Sequence, residues 1–196
     1  MDSIVERRSI RKYKDTEVSK NQIREIVEAA VKAPSAKNRQ PWKFIAYSGE
    51  TKNEFLNTME AGLNKVSGAP QLPPDFKRLL SDAYNTLKIM RQAPALIAVV
   101  NTNGRSPFEN ITTDRRITEI CDTLSIGAAV ENMILKATEI GLGTLWIANT
   151  FYAYEELSDF IGEEGQLACA VALGYADEAP DSRPRKPFED ILEFRD

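Results

Sequence analysis

The chain has 196 residues, 42% hydrophobic and 28% charged, enough for a single domain with a sizeable core and too apolar for a disordered chain. Its net charge of −4 argues against the broad basic face that a nucleic-acid binder needs. With no histidine, serine–histidine and cysteine–histidine hydrolase chemistry is excluded and the commonest metal ligand is missing, so an enzyme of this composition needs an organic cofactor to carry its reaction.

The first thirteen residues, Met1 to Tyr13, are charged and lack the apolar stretch of a secretory signal, and the longest apolar run, Leu167 to Leu173, is too short to span a bilayer. A cytoplasmic protein with no membrane partner is expected. This opening carries Arg7-Arg8-Ser9-Ile10-Arg11. Ser19 and Gln22 then form a capping-box start, and Ile23, Ile26, Val27, Ala30 and Val31 recur at helical spacing up to Pro34. Trp42 to Ser48 is aromatic and β-forming and is followed by Gly49, which predicts a strand ending in a turn. A polar helix is expected over 50–66, an irregular connection at Gly68, Pro70, Pro73 and Pro74, and a second helix over 75–92 carrying Leu79, Leu80, Tyr84, Leu87 and Met90.

Ala95 to Val100 is short and continuously apolar, the pattern of a strand covered on both faces. A polar loop follows, and then the longest helical segment, about Arg115 to Ile140, with apolar residues around much of its circumference. At 1.5 Å per residue it spans on the order of 39 Å, which points to packing across a subunit boundary. Thr144 to Ala148 and Leu167 to Leu173 complete four buried strands, separated by a short helix near 154–161. Cys121 and Cys169 form no CxxC and read as small buried apolar side chains, leaving zinc, disulfide and thioredoxin-type chemistry without support.

The chain ends with a second basic cluster, Arg183-Pro184-Arg185-Lys186, within a polar segment from Asp177 that also holds Phe188, Ile191, Leu192 and Phe194. Those apolar residues predict a docked arm rather than a free tail. Two arginine clusters at opposite ends of an acidic chain suggest one anion held from both sides, and the planar guanidinium fork suits a phosphate.

Four segments, in this order, carry a resemblance. They are the R-R-S-x-R opening, the run Ala33-Pro34-Ser35-Ala36-Lys37-Asn38-Arg39-Gln40-Pro41-Trp42, the segment Gly141-Leu142-Gly143-Thr144-Leu145-Trp146-Ile147, and Ala172-Leu173-Gly174-Tyr175 followed by Arg183-Pro184-Arg185-Lys186-Pro187. Together they resemble the FMN-dependent nitroreductase family over nearly the whole chain. The resemblance implies an α+β fold with a mixed central sheet flanked by helices. It also implies an interlocked homodimer of single domains, 1–196, in which 177–196 is the docked arm.

FMN is the implied cofactor and NADH or NADPH the co-substrate, with nitroaromatics, quinones or similar electron-poor small molecules as acceptors in a ping-pong cycle. A specialised relative (dehalogenase, enoate reductase or flavin-fragmenting enzyme) and a non-catalytic flavin-binding protein are the alternatives. By similarity, Arg7, Arg8, Ser9 and Arg11 contact the phosphate and ribityl side, and Arg183 and Arg185 reach the same phosphate. Pro34, Ser35, Ala36, Asn38 and Gln40 form a loop that in the family reaches the flavin bound mainly by the other subunit. Trp146, Ile147, Ala148 and Asn149 lie under the ring at the end of the third strand, with a backbone N–H toward the nitrogen that takes the hydride. The flavin carries the hydride, so no catalytic side chain is expected. Substrate-facing loops are expected over 69–76 and 101–113.

Overall fold

Strand β2 (Ala95–Asn101) is buried along its whole length, as its unbroken apolar sequence requires. Leu96 and Ala98 face one layer of helices, while Ala95, Ile97 and Val99 face another. The protein, analysed as a computed structural model that describes residues 2–69 and 73–195, places this strand inside a four-stranded sheet of order β1-β2-β4-β3. The other strands are β1 (Trp42–Ser48), β3 (Gly143–Ile147) and β4 (Gln166–Gly174). All neighbouring pairs run antiparallel. The sheet is thus antiparallel where a mixed one was expected; the parallel pairing among the described residues is an isolated bridge between Ser9 and Thr144, which lays the opening segment, beginning with the one-turn helix α1 (Ser3–Glu6), along β3.

Helices α3 (Gly49–Ser67), α4 (Pro74–Gln92) and α6 (Tyr154–Ile161) cover one face. There Phe55, Met59, Leu87, Met90 and Leu157 pack over Leu96, Leu145 and Ile147. Helices α2 (Lys20–Ala30) and α5 (Thr113–Glu139) cover the other, where Ile26, Val130 and Met133 meet Ile97, Val99 and Val171. Each such side chain contributes about 1.5–3 kcal/mol on burial. Both helices on this second face start at a hydroxyl cap. Ser19 closes the expected capping box with Gln22, and Thr112 accepts from the Arg115 N–H.

The two halves of α5 differ. Ile126, Ala129, Val130, Met133, Ile134 and Ala137 in its second half are buried, whereas Ile117, Ile120 and Leu124 form an exposed stripe, Leu124 being 71% exposed. After β4 the chain runs outward. Phe188, Ile191, Leu192 and Phe194 all stay exposed, so the expected anchors of the arm find no seat on their own chain. No described helix is long and apolar enough to cross a membrane. Residues 70–72 of the expected 69–76 loop lie outside the described residues.

Candidate functional site

The opening segment is sewn between β3 and the end of β4. The Ile10 N–H donates to the Thr144 carbonyl at 2.9 Å, the Lys14 N–H to Tyr175 at 2.9 Å, and the Asp177 N–H back to Lys12 at 2.9 Å. Two glycines permit this. A Cβ on Gly143 would meet Ile10 Cγ1 at 2.7 Å, and one on Gly174 would meet Pro94 Cδ at 2.4 Å and Tyr13 Cδ1 at 2.9 Å. Glu178 accepts from the backbone N–H of Arg11 and of Lys12. The chain leaving β4 is therefore pulled alongside the R-R-S-x-R segment, and the two ends meet.

Where they meet, Arg7, Arg8, Ser9, Arg11, Arg183 and Arg185 surround a pocket of about 100 Å³ with Pro180, Asp181 and Ser182. All six residues expected on the phosphate and ribityl side thus line one space. Their donors are oriented by nearby carbonyls: Arg8 donates to Val5 and Arg7, Arg11 to Ser9, and Arg185 to Arg183. Among the described residues, only Arg7 of these five arginines has a carboxylate ion-pair partner, Glu131 at 3.8 Å. Five guanidinium groups repel one another, and an anion between them reverses the sign of that interaction.

Arg11 also lines a wider cleft of about 360 Å³ with Trp146, Ile147, Ala148 and Asn149 at the end of β3. The four residues predicted to lie under a ring therefore share this second space, which adjoins the first through Arg11. Ala148 and Asn149 begin a short 3₁₀ turn, whose first N–H groups have no intrahelical acceptor. The opposite wall comes from α4. Asp82, Asn85, Thr86 and Ile89, at i, i+3, i+4 and i+7, present one helical face to the cleft. Asn149 donates its side-chain N–H to Thr86 Oγ1 at 2.9 Å, joining the two walls.

Sequence reasoning missed this α4 face. Its signal was present as a polar stripe between the apolar positions Leu80, Leu87 and Met90, but a solvated helix face has the same pattern.

The loop with Pro34, Ser35, Ala36, Asn38 and Gln40 lines neither space in its own chain. It is fastened to α5 instead. The Ala36 N–H donates to Ser125 Oγ at 3.2 Å, and Arg39 donates to the buried Asp122 carboxylate through Nε at 2.8 Å and Nη2 at 2.7 Å. Ser35 Oγ accepts from the Gln40 N–H at 3.0 Å, and Asn38 and Gln40 pair through their side chains. Lys37, Asn38 and Gln40 all have positive φ, from 48° to 55°. Three non-glycine residues in that region cost energy that the Arg39–Asp122 anchor offsets.

Part of the expected 101–113 loop borders a hollow of about 460 Å³ at the start of α5, lined by Asn103, Arg105, Asp114, Arg115, Glu119 and Glu164. It is larger, but its charges are mixed, Glu119 is already paired with Arg116, and none of the predicted site residues lines it. Cys169 is buried, as a small apolar side chain was expected to be, and its thiol is pushed up to about 12 by that burial, with a hydrogen bond from Trp146 acting in the opposite sense.

The chain is similar to known proteins over nearly its whole length. The sequence model of the nitroreductase family matches residues 4–175. The YfhC protein of Bacillus subtilis (strain 168), whose name assigns it provisionally to the NAD(P)H nitroreductases, is 30% identical over 96% of this chain and 90% of its own. Among solved structures, a BluB-like flavoprotein from Clostridium difficile 630 is similar with a TM-score of 0.84 and 26% identity, covering 100% of this chain and 98% of the other. A nitroreductase with bound FMN from Desulfitobacterium hafniense DCB-2 is similar with a TM-score of 0.72 and 25% identity, covering 99% and 96%.

Proposed function

The chain belongs to the nitroreductase family, and we propose that it is an FMN-dependent NAD(P)H oxidoreductase that reduces nitroaromatics, quinones or similar electron-poor acceptors. One observation carries the reading. Arginines from both ends of the chain enclose a phosphate-sized pocket that continues, through Arg11, into a ring-sized cleft at the end of β3.

The residues fit the parts of FMN. Arg7, Arg8, Arg183 and Arg185 hold the phosphate, Ser9 and Arg11 lie along the ribityl side, and Trp146 to Asn149 support the ring. Bound there, FMN supplies hydride-transfer chemistry that no side chain of this protein offers. The protein's own contribution is to bind and orient. Arg11, which among the described residues is the one cation lining both spaces, would favour negative charge developing on a bound flavin, and the Thr86–Asn149 hydrogen bond fixes the amide beside the ring site. NAD(P)H and the acceptor use the open side of the cleft in turn, which is a ping-pong cycle.

A homodimer completes the reading. The 34–40 loop is held by the Arg39–Asp122 anchor yet borders neither the arginine pocket nor the ring cleft of its own chain, the Ile117–Ile120–Leu124 stripe is uncovered, and the apolar residues of the arm are exposed. A second copy covers all three and brings its loop to this chain's ring. The test is an anaerobic absorbance titration of purified protein with NADH and NADPH, followed by a nitroaromatic or a quinone. The expected result is a yellow protein that bleaches and recovers its colour stoichiometrically. Colourless protein that does not take up added FMN contradicts the proposal.

A second reading, a specialised flavin enzyme on the same fold, is favoured by the TM-score of 0.84 to the BluB-like flavoprotein against 0.72 to the FMN-bound nitroreductase. It predicts bleaching by NAD(P)H without recovery on adding nitro or quinone acceptors.

A further inference from the structure

Among the described residues, two charged ones line the ring cleft, Arg11 and Asp82, and they are not equivalent. Arg11 also lines the phosphate pocket, and its guanidinium donates to the Ser9 carbonyl at 3.1 Å, so its charge belongs to the cofactor side. Asp82 stands on the opposite wall, on the α4 face that also presents Asn85 and Thr86. It forms no ion pair among the described residues. Its backbone carbonyl accepts from Thr86 Oγ1 at 2.9 Å, which ties it into the Thr86–Asn149 link across the cleft. An acceptor entering beside the ring therefore meets one uncompensated carboxylate and the polar groups of Asn85 and Thr86.

We propose that Asp82 is a specificity-determining residue that makes this cleft favour neutral and cationic electron-poor acceptors over acceptors bearing a carboxylate. The inference rests on the flavin-cleft reading above and names the acceptor class for it. A carboxylate in a cleft open to solvent discriminates against a like charge several ångströms away by on the order of fivefold to tenfold at low ionic strength. The discrimination shrinks as salt is raised.

The experiment uses the FMN-loaded protein and three acceptors of matched shape: 4-nitrobenzamide, 4-nitrobenzoate and (4-nitrobenzyl)trimethylammonium. kcat/KM is measured with NADH or NADPH for the natural sequence, Asp82→Asn and Asp82→Glu. In parallel, binding of the unreactive benzamide and benzoate to the oxidised protein is followed by perturbation of the flavin spectrum. The expected ranking is cation and amide above carboxylate. Asp82→Asn narrows the amide-to-carboxylate ratio at least about threefold in both turnover and binding, and Asp82→Glu retains it. A merely structural role lowers all three acceptors together and leaves the ratio unmoved, which overturns the inference. If NAD(P)H bleaches the flavin and the ratio is the same in Asp82→Asn, this inference alone fails. If the protein takes no FMN, the functional reading fails and the inference falls with it.

Discussion

The phosphate pocket and the 34–40 loop are both made of residues that the family resemblance assigns to one cofactor, yet the chain treats them in opposite ways. The pocket is assembled within one chain from its two ends, by backbone hydrogen bonds that bind the opening segment to β3 and to the exit of β4. The loop is held just as firmly, by Arg39 on Asp122, but borders neither of the two cavities. A strained, anchored loop that borders neither space of its own chain is what the proposed site, completed by a second subunit, would use. On the proposed reading, the difference teaches that anion binding would be a property of the single chain and the ring environment a property of the pair.

The largest effect should come from removing the far half of the pocket. Replacing both Arg183 and Arg185 with alanine removes two charged donors, each contributing about 1.5 kcal/mol or more, so FMN affinity should fall at least about a hundredfold by equilibrium dialysis. Arg185→Ala alone should weaken retention more than Lys37→Ala, which touches no phosphate; equal retention breaks the comparison.

Next is the loop anchor. Asp122→Ala strands Arg39 and removes the acceptor of the Asn103 side chain, and should cost about 2 kcal/mol in chemical denaturation of the cofactor-free protein. If the loop serves the partner's ring, the same change also loosens FMN in the dimer. If denaturation shifts but FMN binding does not, the loop is only a turn. Gly143→Ala should cost about 1–2 kcal/mol, because its Cβ meets Ile10 at 2.7 Å and the opening segment must move off β3; FMN affinity should drop with it. The smallest effect sharpens the strain argument. Lys37→Gly relieves a side chain at φ 55° and should stabilise the protein by about 0.5 kcal/mol in the same denaturation assay, with FMN affinity changed less than about twofold.

Much of the fold is legible in the sequence. The run Trp42 to Ser48 is a strand with the expected bounds, because aromatic and β-branched residues before a glycine turn leave little else. Ala95 to Val100 was expected to be covered on both faces, and it is. The half-exposed α5 was foreshadowed by its length and its circumferential apolar residues.

What the sequence hid depended on tertiary contact. Nothing in the order of residues says that Gly143 is there for Ile10, or Gly174 for Pro94 and Tyr13, since those neighbours are distant along the chain. The left-handed Lys37, Asn38 and Gln40 were invisible because such side chains seldom adopt positive φ and no glycine marks the site. Asp82 was missed because a polar stripe on a helix looks the same whether it faces water or a cleft.

The most direct test of the central claim compares FMN with riboflavin, which has the same ring and ribityl chain and no phosphate. In the natural sequence, calorimetric affinities should favour FMN by at least about a hundredfold, and replacing Arg8 and Arg185 with alanine should erase most of that preference. Equal affinity for the two ligands, or a preference that survives loss of the arginines, would contradict an anion held from both ends of the chain.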